Sequence, residues 1–393
     1  MPTKQTIGTD TYVLQSALSA YSDEAYTGAR KLSGTAIVGS NPDIDTNTET
    51  FTGQIRWKKP LNAKINVASL VDPTAGEKTS SERDFLSYIK TVRTHGAEKL
   101  NMASVVTQED GLAKIGSDFG ETRATDEHNA ILSVLKGVAL SEVLYGAGAA
   151  SGSAGLGGQT FDNDPASNRH GFYVDLGAEK AVKEATAVVQ GAARAEQFLN
   201  AFSMAYKDHE PEYAYLITSP QVVASLRSAN LVDQTPVVDG NITFNTIFNG
   251  KFRLIQTRAS QGFSNAELTK INTFGGVNIV GSRTSFIVLP GSLAMAALGV
   301  PDPVEIVRNG DAFKGGGTTT VWYRWGYVLA PAGYSWKGKD TEFPSDDAYR
   351  SVVNAQGQPM MVTDVADGAT VLPTWERKFS SALSLGILPV FHS

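Results

Sequence analysis

The chain of 393 residues contains no cysteine at all. Disulfides, thiolate nucleophiles and cysteine-ligated zinc or iron–sulfur sites are excluded with it. A reducing compartment such as the cytoplasm fits this best, with stability drawn from packing and association. No apolar run approaches the ~20 residues that a membrane span needs, and the start, MPTKQTIGTDTYVL, lacks the apolar core of a signal peptide. Basic residues are also in deficit. Lys and Arg number 34 against 40 Asp and Glu, a net charge of −6, which argues against a general nucleic-acid binder. Only five histidines occur. They stand at 95, 128, 170, 209 and 392, and none pairs at i+3 or i+4 as a zinc-protease helix requires.

What is present is glycine, 38 residues, and a set of long patterned segments. The clearest is Thr318–Trp336, TTTVWYRWGYVLAPAGYSW. Its β-branched and aromatic content predicts a strand over 318–329. Val321, Tyr323, Trp325, Tyr327 and Leu329 share one face, with Trp322, Arg324 and Val328 on the other. Pro331-Ala332-Gly333 turns the chain before Tyr334-Ser335-Trp336. Twelve residues span about 40 Å, long against the usual five or six. Such reach suits subunits that extend across neighbours.

Residues 1–46 read as an arm, with Tyr12, Leu14, Leu18, Tyr21 and Tyr26 spread among polar residues and little to bury alone. The charge reverses after Thr50. Arg56, Lys58, Lys59 and Lys64 mix with Trp57, Ile55 and Ile65 as in a β-hairpin. The plain reading is a solvated hairpin face; the sharper one is a basic loop docking on an acidic neighbour. SSERDFLSYIKTVR predicts a helix within 80–100, with Phe85, Leu86 and Ile89 inward and Lys90 outward. A second helix is expected over about 122–143, with Ile131, Leu132, Leu135, Val138, Ala139 and Val143 on its apolar side. Gly116-Ser117-Asp118 stands before it, and 146–158 is a flexible connector. Helix is expected again over 178–206, a strand at 213–218, and a helix at 221–229 started by Pro220. Strand-like stretches follow at 242–248, 251–257, 277–280, 285–289 and 304–307. The mixture is α+β, without a βαβ repeat.

The search for chemistry is thin. Neither Gly146–Gly158 nor Gly315-Gly316-Gly317 has the context of a phosphate loop or dinucleotide fingerprint. No Gly-x-Ser-x-Gly elbow occurs. Glu109-Asp110, Asp346-Asp347 and Asp162/Asp164 supply carboxylates without a required partner spacing. His128, beside Glu127, reads as structural. The aromatic stripe is either core and interface or a sugar or base platform, and core is the commoner fate.

Four segments carry a likeness. They are Gly116-Ser117-Asp118 with ILSVLKGVALSEV (Ile131–Val143); YLITSPQVVASLRSANLVDQTP (Tyr215–Pro236); TIFNGKFRLIQT (Thr246–Thr257); and FIVLPGSLAMAALG (Phe286–Gly299) with VEIVRNGD and the long strand. In that order they resemble the major capsid proteins of tailed bacteriophages with the Hong-Kong-97 fold. The resemblance covers roughly 116–336. It implies an N-terminal arm at 1–46, an extended loop region at 47–105, a peripheral domain at 106–209 and 311–340 with its spine helix at about 122–143, and an axial domain at 210–310. Residues 341–393, ending in SLGILPVF, form a C-terminal extension on the surface or strapping a neighbour. It further implies a structural protein, not an enzyme, with no cofactor or metal. Its copies would form pentamers and hexamers in an icosahedral virion head, assembled in the bacterial cytoplasm. Partners would be scaffolding, portal and decoration proteins and enclosed double-stranded DNA bound without sequence specificity, with no membrane. Candidate inter-subunit contacts are Arg56, Trp57, Lys58, Lys59 and Lys64. Two alternatives stand beside it: an encapsulin shell, and a phage tail-associated glycan hydrolase or adhesin.

Overall fold

A computed structural model describes residues 9–30, 32–58, 83–100, 111–147, 172–175, 198–203, 205–206, 210–228, 230–233, 236–239, 242–257, 263–275, 279, 281, 283–309, 317–354, 358–366, 371–379 and 385–392. The connector at 146–158 and most of the expected helix at 178–206 lie outside these residues. In the part of that helix at 198–206 that is described, Phe198, Ala201, Phe202, Ala205 and Tyr206 are buried.

The chain opens with helix α1 (Thr9–Ala29), then strands β1 (Val38–Gly39), β2 (Thr52–Lys58) and β3 (Arg83–Leu100). Helix α2 (Gly111–Ala147) has 37 residues, about 55 Å at the usual rise. The strand β4 (Val174–Asp175) follows, then β5 (Ala214–Thr218), helix α3 (Pro220–Ser228), β6 (Val237–Asp239), β7 (Ile242–Ile247) and β8 (Phe252–Gln256). Helix α4 (Asn265–Gly275) leads to β9 (Arg283–Val288), β10 (Leu293–Ala297), β11 (Val304–Asn309), β12 (Thr318–Pro331) and β13 (Tyr334–Trp336). The last part carries helix α5 (Asp346–Tyr349), three short strands, β14 (Val352–Val353), β15 (Pro359–Met360) and β16 (Leu372–Pro373), then β17 (Trp375–Arg377) and β18 (Ile387–His392).

Two large sheets organise this. In one, β12 is flanked by β3 on one side and by both β10 and β11 on the other, with β2 and β1 at the ends. The β12–β3 pairing runs in antiparallel register from Thr318↔Leu100 to Leu329↔Ile89. The other sheet has the order β4-β18-β9-β5-β8-β7-β6, with β5 and β8 parallel. One core joins α2 to both sheets. The expected inward stripe of α2, Ile131, Leu132, Leu135, Val138, Ala139 and Val143, is wholly buried.

The long strand stands where its alternation places it. Val321, Tyr323, Trp325, Tyr327 and Leu329 are all buried. Trp325 and Trp336 are core residues, whereas Trp322 is 40% exposed, lying over Gly96 of β3. Trp322 is therefore a surface aromatic, not a core anchor.

Several expectations are overturned. Residues 83–100 form a strand, not a helix. Leu86, Tyr88 and Lys90 alternate inward, and β12 supplies a twelve-residue partner edge, so tertiary pairing overrides the local pattern. Helix α2 begins at Gly111, well before 122, and contains Gly116-Ser117-Asp118. A Cβ at Gly116 would meet Leu18 O at 3.1 Å, and one at Gly120 would meet Tyr26 N at 2.7 Å. These glycines, four apart, allow α1 and α2 to touch backbone to backbone; they do not mark a turn. Among the described residues of 1–46, Leu18, Leu32 and Ile37 enter the main core. The stretch at 277–280 forms no strand among its described residues. Helix α4, unforeseen, is started by a reciprocal capping box. Glu267 N donates to Ser264 Oγ at 3.2 Å, and Ser264 N donates to the Glu267 carboxylate at 2.7 Å.

The ending also differs from a surface strap. The strand β18 lies between β4 and β9 and is buried throughout. Trp375 and Tyr349 stack at 6.2 Å against the middle of α2, where Gly137 leaves room for Trp375 and the Tyr349 carbonyl.

Candidate assembly interface

The basic strand β2 finds its partner in β3, the segment expected as a helix, and the rest of the expected hairpin lies outside the described residues. β2 pairs with β3 from Thr52↔Ile89 to Lys58↔Arg83. Ile55 and Leu86 face each other and are buried with Tyr88 in a second, smaller core. Residues one step along therefore face the other way. Arg56 opposes Phe85 and is exposed, its guanidinium 6.0 Å from the ring centroid. Trp57 opposes Asp84, and Lys58 directly opposes Arg83. Lys59 and Lys64 lie outside the described residues. Phe85 adds an aromatic surface that is 47% exposed. β2 is also a terminal strand of its sheet. An edge strand that carries the exposed Arg56 beside the exposed Phe85 ring is a surface suited to an anionic partner.

A strap fixes this hairpin to the body. Residues 40–50 cross from β1 to β2 and are held by Lys90, whose side chain is 0% exposed. Lys90 Nζ donates to Asp45 Oδ2 at 2.8 Å, to Thr50 Oγ1 at 3.0 Å and to the Asn47 carbonyl. These contacts, with the N–H of Asn47 on its side chain, hold the Asp45 carboxyl below its ordinary value, the Lys90 bond most of all. Asp45 N donates to Tyr88 Oη at 2.6 Å. Ile44, Leu298, Val328 and Ala330 fill the space beneath. The hairpin's base is thus a rigid platform.

Polar groups along α2 tie the other segments down. Glu127 accepts from Tyr26 Oη at 2.6 Å and pairs with Arg123 at 3.2 Å, and that guanidinium lies 4.0 Å over the Tyr26 ring. Asp126 accepts from Trp325 Nε1 at 3.0 Å and Tyr327 Oη at 2.9 Å, with Arg93 at 3.4 Å. Lys136 pairs with Glu267 of α4 at 2.9 Å. Burial lowers the Lys136 pKa; Glu267 is pushed up by burial but held below its usual value by Ser264 and Lys136. Glu142, wholly buried, accepts from Tyr334 Oη at 2.8 Å, Phe172 N at 2.6 Å and Arg377 Nη1 at 3.0 Å. Asp346, outside the helix, pairs with Arg93 at 2.9 Å, and burial raises its pKa.

Of these carboxylates only Asp346 is among those that the sequence singles out. Asp126, Glu127, Lys136 and Glu142 were visible as charges within an otherwise apolar helical run, which is the signal for paired buried ions. Tyr26, Glu267, Trp325, Tyr327, Tyr334 and Arg377 are about 100 to more than 200 residues from them, so only the fold identifies these partners. Of the carboxylates named as possible chemistry, only Asp346 and Asp347 are among the described residues. Asp346 pairs with the distant Arg93 and Asp347 with its neighbour Arg350. Glu109, Asp110, Asp162 and Asp164 lie outside the described residues. Among the described residues no group of three His, Asp or Glu side chains is arranged to hold a metal, and no helix is long and apolar enough to cross a membrane.

Burial, then the Glu127 carboxylate, pushes the Tyr26 hydroxyl up from 10.0 to about 12. The folded state favours the protonated form. Its contribution is whole below pH 10 and is lost as the pH rises through 12. Subtracting the 295 nm titration of Tyr26→Phe from that of the wild type should leave one step near pH 12. A step near pH 10 in the folded protein would show that Tyr26 is not docked.

No family model matches the chain, and no curated protein matches it. Solved structures do. The capsid of Ralstonia phage GP4 is similar at 12% identity over 78% of this chain and 87% of that one, with a TM-score of 0.46. The capsid of cyanophage Pam1 is similar at 13% identity over 79% and 88%, with a TM-score of 0.43. The head structure of Helicobacter pylori bacteriophage KHP40 is similar at 11% identity over 91% and 90%, with a TM-score of 0.42. All three are phage capsid or head structures. At these identities and TM-scores the likeness carries no functional weight by itself.

Proposed function

We propose that this chain is the major capsid protein of a tailed bacteriophage, a structural protein that assembles as pentamers and hexamers into an icosahedral head around double-stranded DNA. The observation that supports it most is the joint placement of the resembling segments. Ile131–Val143 forms the buried centre of α2. Tyr215–Pro236 supplies β5 and α3, Thr246–Thr257 the β7–β8 hairpin, and Phe286–Gly299 β9 and β10. All pack into one core with the long strand β12. A long helix beside a long strand, with a projecting cationic hairpin, is what a subunit needs to overlap its neighbours.

In this reading α2 is the spine helix. Residues 106–209 and 311–340 form the peripheral domain, 210–310 the axial domain, and 47–105 the extended loop. Scaffolding, portal and decoration proteins are the expected partners. The chain's acidity suits a wall that packaged DNA must not adhere to strongly. Assembly would take place in the host cytoplasm. The aromatic-platform alternative is weakened because Trp325 and Trp336 are buried in the core.

Sedimentation velocity on the purified chain, with and without crowding agents and candidate scaffolding protein, tests this. Discrete species of five or six copies and larger closed particles are expected. A lone 42 kDa monomer under every condition would reject the proposal; the chain mass is 41.8 kDa.

The hairpin has its own test. Reversing charge at Arg56, Lys58 and Lys59 to glutamate should cut particle yield at least tenfold while shifting the unfolding midpoint little, the exposed Arg56 contributing no more than about 0.5 kcal/mol. Unchanged yield from low to high salt would remove the docking role.

A further inference from the structure

The β7–β8 hairpin contains one of the two Asn-Gly steps in the chain, Asn249-Gly250; the other is Asn309-Gly310. Asn-Gly is the step most prone to spontaneous deamidation, because glycine offers no side chain to hinder ring closure. The geometry here is unusual. Phe248, Asn249 and Gly250 all lie in the left-handed region, with φ of 56°, 55° and 87°. The turn is held from outside by a carboxylate. Asp233 Oδ2 accepts from Gly250 N at 3.0 Å and from Thr246 Oγ1 at 2.8 Å, and Asp233 Oδ1 accepts from Asn249 N at 3.3 Å. Asp233 is itself placed by the end of α3. Asn230 takes φ of 54°, Leu231 N returns to Leu226 O at 3.1 Å, and Asp233 N donates to Thr246 O at 2.8 Å.

We infer that Asn249 is a latent modification site, and that Asp233 keeps it closed. In the reaction, Gly250 N loses its proton and attacks Asn249 Cγ. A C–N bond forms, the carboxamide nitrogen takes up a proton, and ammonia leaves. Water then opens the five-membered succinimide at either carbonyl, giving aspartate or isoaspartate. No oxidant or reductant is involved. The nucleophile is the deprotonated amide. In the fold that N–H is committed to a carboxylate, and an amide anion formed there would face the charge of Asp233. Both effects oppose the first step. Asn249 is exposed, so water has access. Closure rests on the hydrogen bond rather than on burial.

The consequence for the hairpin is specific. Either product places a second negative charge beside Asp233, and isoaspartate adds a methylene to the main chain of a turn held in three successive left-handed residues. Modification would therefore prevent the clamp from re-forming. Any opening of the β7–β8 turn long enough for ring closure becomes a one-way event.

The test measures aspartate and isoaspartate at residue 249 by peptide mass spectrometry, with isoaspartyl methyltransferase labelling. Three samples are incubated together at neutral pH and 37 °C: the folded chain, the chain held unfolded in urea, and folded Asp233→Ala. The folded wild type should deamidate at Asn249 at least tenfold more slowly than the unfolded chain. Asp233→Ala should recover at least fivefold of that difference while its circular dichroism remains native. If Asp233→Ala does not fold, Asp233→Asn, which keeps shape and removes charge, carries the same comparison. Equal rates in folded and unfolded wild type would overturn the inference. So would a folded Asp233 variant that deamidates as slowly as the wild type.

Discussion

Replacing Glu142 with alanine is expected to cost about 3–5 kcal/mol, the penalty for breaking a buried ion pair by removing one partner. The Arg377 side chain is 4% exposed and loses the carboxylate 3.0 Å away. Tyr334 Oη and Phe172 N, both buried, lose their acceptor at the same time. Burial and the Glu142 charge together push the Tyr334 hydroxyl far above its ordinary pKa, so that it stays a donor. The three partners come from separate parts of the chain, so one side chain fixes α2 against β13, β17 and the segment before β4. Against a total stability of roughly 5–15 kcal/mol, a loss of this size makes the folded state marginal. Urea denaturation of Glu142→Ala and Glu142→Gln measures it. Glu142→Gln should be milder, because it retains an acceptor for Tyr334. A loss below about 1 kcal/mol for the alanine variant would mean that water replaces the carboxylate.

Gly137→Ala is expected to destabilise the protein, although alanine is the better helix former by about 1 kcal/mol. A Cβ at 137 would lie 2.8 Å from Trp375 Cδ1 and 3.0 Å from Trp375 Nε1, and would collide with the Tyr349 main-chain oxygen. Trp375 Nε1 already donates to that oxygen at 3.1 Å, so neither group is free to step aside. Overpacking of this kind costs about 1–3 kcal/mol and more where backbone must move. The sign is the informative part. A stabilised Gly137→Ala variant would show that residues 349 and 375 do not pack on α2. The same substitution at Gly28, where a Cβ would meet nothing, should be neutral or slightly stabilising.

The contrast between these residues shows what a single sequence conveys. The alternation in Thr318–Pro331 fixed its strand and inward face, because period two over a dozen residues admits no other element. The apolar stripe of Ile131–Val143 was equally plain. Glycine misled. Gly116-Ser117-Asp118 is expected to stand before the helix, yet Gly116 lies inside α2 where α1 crosses it, as does Gly120. Their meaning depends on a helix a hundred residues earlier. Residues 83–100 misled in another way. Phe85, Leu86 and Ile89 fit a helical face, and Lys90 fits its solvent side. Only the strap at 45–50, which supplies Asp45, Asn47 and Thr50, makes a buried lysine acceptable.

The candidate interface was legible as charge but not as structure. Arg56 and Lys58 stood out as a basic run, and their alternation on β2 agrees with a hairpin. That Lys58 faces Arg83, and that Phe85 lies exposed beside Arg56, follows from register, which sequence spacing across a long loop does not set. The tail was misjudged for the same reason. SLGILPVF reads as a detached apolar end, but β18 fills the gap between β4 and β9 in the larger sheet. Asp233 shows the opposite case. Asn230 to Asp233 lie within the segment Tyr215–Pro236 that carries the likeness, and the structure gives them a physical role: a left-handed cap followed by a carboxylate that clamps the next hairpin.

Electron cryomicroscopy of the chain, expressed alone or with a candidate scaffolding protein, tests the central claim most directly. The account predicts closed shells built from rings of five and six copies, with α2 and β12 side by side in the shell wall and the β2–β3 hairpin lying on an adjacent copy. A uniform population of monomers or small open oligomers, in which that hairpin contacts no other copy, would contradict it.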